Sequence, residues 1–133
     1  MALSNPYQSY QQNSVNTASP GDLTLMLYNG CLKFITLGKK AMETGNIQEK
    51  NNNLLKAQNI IHELMVTLNM DVAVSKDLLA LYDYLNRQLI EANMKNDPAI
   101  LDEVTEFVTD FRNTWKEAIQ LNRQKQFTQS GQA

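Results

Sequence analysis

The sequence predicts an all-α protein, an antiparallel up-down-up-down four-helix bundle with a mobile N-terminal arm. Apolar residues recur at alternating spacings of three and four through four separate segments, the periodicity of packed helical seams. The junctions carry Gly45-Asn46, the stretch Asn69 to Ser75 and the pair Asp97-Pro98, each combining a helix-ending signal with a capping residue. No alternating strand pattern, internal repeat or second domain competes. Helices of roughly 20–25 residues joined by such short connectors lie antiparallel to their neighbours. The expected divisions are an arm over 1–18, the bundle over 19–124 and a flexible C-terminal tail over 125–133.

The first helix, whose central stretch is Ser19 to Ala41 and whose end is expected near Thr44-Gly45, has a well-marked start. Ser19 suits the N-cap, Pro20 the first helical position, and Asp22 places its charge at the positive end of the helix dipole. Leu23, Leu27, Phe34 and Ala41 share one face of this helix, and Leu25, Tyr28, Leu32 and Ile35 share another, with Cys31 between them. Only Asn29, Lys33, Thr36 and Lys40 form a polar strip. A helix this apolar is either central or covered on a second side by something else. The Leu23, Leu27 and Phe34 face is expected to close the bundle. The Leu25, Tyr28, Leu32 and Ile35 face is expected to meet a partner.

In the second helix, capped by Asn46 with Glu49 at the capping-box position, Leu54, Ala57, Ile61, Leu64 and Leu68 form the seam. Leu55, Ile60, Met65 and Val66 fall off it. Ser75 is expected to cap the third helix, with Leu78, Tyr82, Leu85, Leu89 and Ala92 as its seam. Asp97 and Pro98 open the fourth, where Leu101, Val104, Val108, Phe111, Trp115 and Ala118 repeat and fraying is expected past Arg123.

Composition narrows the function. The 133 residues are 43% hydrophobic and 20% charged, with a net charge of -2, which gives no general attraction to nucleic acid or anionic membrane. No apolar run approaches the ~20 residues that span a bilayer. The polar start MALSNPYQSYQQNS lacks the regions of a signal peptide, so the expected location is the cytosol. Cys31 is the single cysteine and reads as a small buried hydrophobe.

His62 is the sole histidine. Asn59 stands where a di-iron Glu-x-x-His needs its Glu, and Val66 where a zinc protease needs a second His. Gly-rich phosphate loops and nucleophile motifs are missing. No catalytic residue, metal or cofactor is therefore expected. A phosphotransfer bundle using His62 is one alternative, although Glu63 to Val66 supply neither the Lys nor the Gly that a phosphoryl group needs.

Surplus apolar surface points instead to association. Its cover is the N-terminal arm, with Tyr7 and Tyr10 three apart as amphipathic docking rings, a second copy of the chain, or a client that brings amphipathic helices of its own. A self-associating structural bundle is the second alternative.

Several motifs closely resemble the signature of the flagellin export chaperones, the FliS family, in the form found in Bacillus-like bacteria. They are Asn5-Pro6-Tyr7, Tyr10, Asn13-Ser14-Val15, Thr17 to Leu23 and Met26 to Gly30. The resemblance continues through Lys56-Ala57-Gln58, Leu81 to Leu85, Ala92-Asn93, Asn96-Asp97 and Trp115, and departs from the pattern at Asp71 to Ser75. It implies a cytosolic, non-enzymatic bundle that binds the disordered C-terminal segment of flagellin as helices and prevents premature polymerisation. It further implies docking on the membrane-embedded gate of the flagellar type III export apparatus. Tyr7 and Tyr10 match the family's arm tyrosines, linked to client and gate recognition. Leu25, Tyr28, Asn29, Leu32 and Ile35 match its first helix and are assigned to the client groove.

Overall fold

The computed structural model describes the backbone of residues 20–132 and the side chains of 21–125. It consists of four helices: α1 (Pro20–Glu43), α2 (Ile47–Val66), α3 (Val74–Lys95) and α4 (Pro98–Gln132). Each packs on its neighbour in the chain, and α4 returns to α1, closing an antiparallel up-down-up-down bundle. The expected arm, with Tyr7 and Tyr10, and the Ser19 cap lie outside the described residues.

Local chemistry sets the turns where the sequence indicated. Gly45 has φ +76°, the left-handed conformation that ends a helix at little cost only in Gly. Asn46 then accepts a hydrogen bond from the Glu49 backbone N–H at 3.1 Å. Asp97 caps α4 by accepting from the Ala99 N–H at 3.0 Å. Ser75 has a different task. It lies inside α3 and its hydroxyl donates to the Asn69 carbonyl at 2.6 Å, so it ties the α2–α3 loop to the bundle instead of capping the helix.

The core joins all four seams: Leu54, Ala57, Ile61 and Leu64 from α2, Tyr82, Leu85, Leu89 and Ala92 from α3, Leu101, Val104 and Val108 from α4, and Leu27, Cys31, Phe34 and Ile35 from α1. Ile60, off the expected seam, is fully buried, because a helix with neighbours on two sides buries a wider arc than one seam. The α4 seam thins toward its end. Trp115 is 38% exposed and its indole N–H donates to the Gly21 carbonyl at 2.9 Å. Trp115 therefore lies level with the first turn of α1, and beyond it the longer α4, which continues to Gln132 and past Arg123, outruns its neighbour.

Two contacts fix α2 against its neighbours. A Cβ on Gly38 would fall 2.7 Å from Leu54 Cδ2, so the missing side chain sets how closely these helices approach. Lys50 is only 8% exposed. Its Nζ donates to the Asn93 carbonyl at 3.1 Å and to Asn96 Oδ1 at 3.0 Å, fastening α2 to the end of α3. Asn96 itself is left-handed at φ 55°. Lys50→Met keeps an apolar stem but orphans these acceptors, and a loss of about 1–3 kcal/mol is expected in thermal or urea unfolding; an unchanged transition would show the bond to be dispensable.

Candidate functional site

The face of α1 that the sequence assigned to a partner is largely interior. Tyr28 is 4% exposed and Ile35 1%. The Tyr28 hydroxyl meets the Tyr82 hydroxyl across the bundle at 2.6 Å, and both rings pack against Phe111, at centroid distances of 6.0 and 5.9 Å. The buried polar tip of Tyr28 is thus satisfied inside the protein, which removes its reason to face water. Leu25 and Leu32 are half-buried. Asn29 alone of that α1 set is exposed, held by a 3.5 Å hydrogen bond from Arg112 Nη1.

The open surface lies on the other flank of α1. A groove of about 850 Å³ runs between α1 and α2, with Leu23, Met26, Leu27, Phe34, Leu37 and Ala41 as its apolar lining. Asn29 and Gly30 border it on α1, and Asn46, Glu49, Asn53 and Lys56 border it on α2. Leu37 is 40% exposed there. Phe34 is nearly buried but lies between two cations, with Lys33 Nζ 5.5 Å and Lys56 Nζ 5.3 Å from its ring centroid. Cation–π attraction holds both ammonium groups at the groove. Leu23 and Phe34, expected to close the bundle, therefore serve its groove side as well. Sequence reasoning missed Met26, Leu37 and Lys56. A signal existed in Gly30, which removes a side chain from this flank of an otherwise bulky helix.

The groove's chemistry is suited to holding a chain. Among the described residues no group of His, Cys, Asp or Glu could hold a metal ion, and none of the helices is long and apolar enough to cross a membrane. His62 is exposed on α2 and is not among the groove residues. Cys31 is fully buried, and burial pushes its thiol up to about 12. At pH 8 only about one thiol in ten thousand would be thiolate, so iodoacetamide is expected to modify Cys31 only in denaturant; rapid labelling of the native protein would place it elsewhere.

Fold and groove together make a four-helix bundle with an open apolar trough between α1 and α2. The comparisons say to which family it belongs. The family model described as Flagellar protein FliS matches residues 3–122, and the chain belongs to this family, one of chaperones and not of enzymes. The flagellar secretion chaperone FliS of Bacillus subtilis (strain 168) is 56% identical over 131 residues, covering 98% of both chains. That of Vibrio cholerae is 38% identical over 114 residues, covering 81% of this chain and 84% of the relative. A crystal structure of a flagellar chaperone from bacteria superposes with a TM-score of 0.72 at 23% identity, over 86% of this chain and 94% of the other, a likeness of fold.

Proposed function

We propose that this chain is a cytosolic flagellar secretion chaperone that holds the disordered C-terminal segment of flagellin as helix in the α1–α2 groove. It thereby prevents premature polymerisation and delivers the client to the flagellar type III export gate. The observation that carries this reading is the open apolar groove, on a bundle whose relatives are named flagellar secretion chaperones. A segment that folds on binding gives up about 2–5 kcal/mol or more of its interaction energy to ordering, so its receptor needs length more than depth. The lining from Leu23 to Thr44 offers roughly 30 Å along α1.

Within this reading Leu23, Met26, Phe34 and Leu37 are the client floor and Asn29 its rim, while Tyr28 and Ile35 support that floor from the core. Tyr7 and Tyr10, which lie outside the described residues, are assigned to client and gate contacts. Titrating the purified chain with a flagellin C-terminal segment is expected to give a stable complex with more far-UV helical signal than the two components summed. A chain that stays dimeric in light scattering and ignores the segment would contradict this and favour self-association.

A further inference from the structure

The groove carries an unbalanced charge. Lys33, Lys40 and Lys56 line it against a single carboxylate, Glu49, in a chain whose net charge is -2. Four cations outside the groove have carboxylate partners: Lys39 with Asp102 at 2.7 Å, Arg87 with Asp83 at 3.2 Å, Lys95 with Glu91 at 2.7 Å and Arg123 with Asp22 at 2.7 Å. None of the three groove lysines has a carboxylate within ion-pair distance among the described residues. Two of them are instead gathered around the Phe34 ring from opposite helices. Bringing like charges together on a partly apolar surface is unfavourable until something negative arrives.

We infer that Lys33, Lys40 and Lys56 determine specificity, selecting an amphipathic client helix whose apolar stripe is bordered by carboxylates. The inference rests on the groove being the client site. Lys33 and Lys40 stand two turns apart, about 10 Å, so they match carboxylates seven residues apart on a helix lying along α1. Lys56 holds the α2 side, and the apolar residue between the carboxylates rests on Phe34 and Leu37. Charge also separates this client from the chain's own N-terminal segment. Residues 1–19 contain no Asp or Glu, so that segment can offer the groove apolar side chains but no counter-charge.

The test is a titration of the full chain with a flagellin C-terminal segment, and with the same segment after Asp→Asn and Glu→Gln replacement, at low and high NaCl. The K33Q/K56Q variant is expected to bind the unmodified segment about 5- to 10-fold more weakly at low salt, with a flatter salt dependence. Neutralising the segment has the same effect, and combining both changes adds little. K76Q, on α3 away from the groove, leaves affinity unchanged. Wild-type affinity and salt dependence for K33Q/K56Q overturn the inference, as does an equal loss in K76Q. Leu37→Asn, a neutral change in the apolar floor, separates the two readings. If it weakens binding while the lysine changes do not, the groove is the site and charge selection is wrong; if it too has no effect, the groove assignment itself fails.

Discussion

Tyr28→Asp is expected to abolish the folded bundle, with far-UV helicity lost and no cooperative melting transition at neutral pH. Removing a large ring from the core costs about 3–5 kcal/mol, and the new carboxylate would be buried with only the Tyr82 hydroxyl at hand, which costs several more. The sum rivals the roughly 5–15 kcal/mol that holds a domain together. Tyr28→Phe isolates the hydroxyl. It leaves Tyr82 buried and unpaired, for an expected loss of about 1–3 kcal/mol. Adding Tyr82→Phe removes the orphan, so the double variant is expected to be more stable than the sum of the singles. A cooperative, unshifted melt for Tyr28→Asp would put this ring at the surface and undo the core assignment.

Burial raises both tyrosine hydroxyls above their ordinary value. For a group raised in the folded state, the stability it contributes is intact below the unfolded pKa, about 10 for tyrosine, and drains away as pH climbs past it. The pair is thus silent at neutral pH and weakens the bundle only in alkali.

Leu37→Asn is the second large effect, and it falls on binding instead of folding. Leu37 is already 40% exposed in the free chain, so the fold loses only the propensity difference and a little apolar cover, about 0.5–1 kcal/mol. A bound client would bury the position, and exchanging its apolar contact for a desolvated amide costs about 3 kcal/mol, or ~100-fold in affinity. Leu55→Asn is the matched control, since Leu55 is 55% exposed on α2 but not in the groove. Its affinity for the flagellin segment should remain that of the wild type.

Legibility in the sequence divides along local and distant causes. The Asn46 and Asp97 caps and the turn at Gly45 act within a few residues, and periodicity with these signals located all four helices. The order of the two α1 faces was beyond such reasoning. Periodicity shows which residues share a side, while the side that becomes interior depends on partners far along the chain. Tyr28 was assigned to the partner face with Leu25, Leu32 and Ile35; its mate, Tyr82, lies 54 residues away. The enclosure of Lys50 by the end of α3 likewise depends on partners more than 40 residues away. Trp115 and Ala118 kept the seam's rhythm, yet α4 had by then reached the first turn of α1. The groove was hardest to read, because it is a gap between α1 and α2 whose lining comes from two helices and includes Gly30, a residue with no side chain to mark it.

The account turns on which flank of α1 receives the client. Methyl-resolved NMR of the full chain, recorded with and without the flagellin C-terminal segment, reads this directly. The account predicts that Leu23, Met26, Leu37 and Ala41 shift on addition of the segment, while Leu55, Ile90 and Met94 stay in place. Shifts confined to the second group, with the groove methyls unmoved, would contradict it.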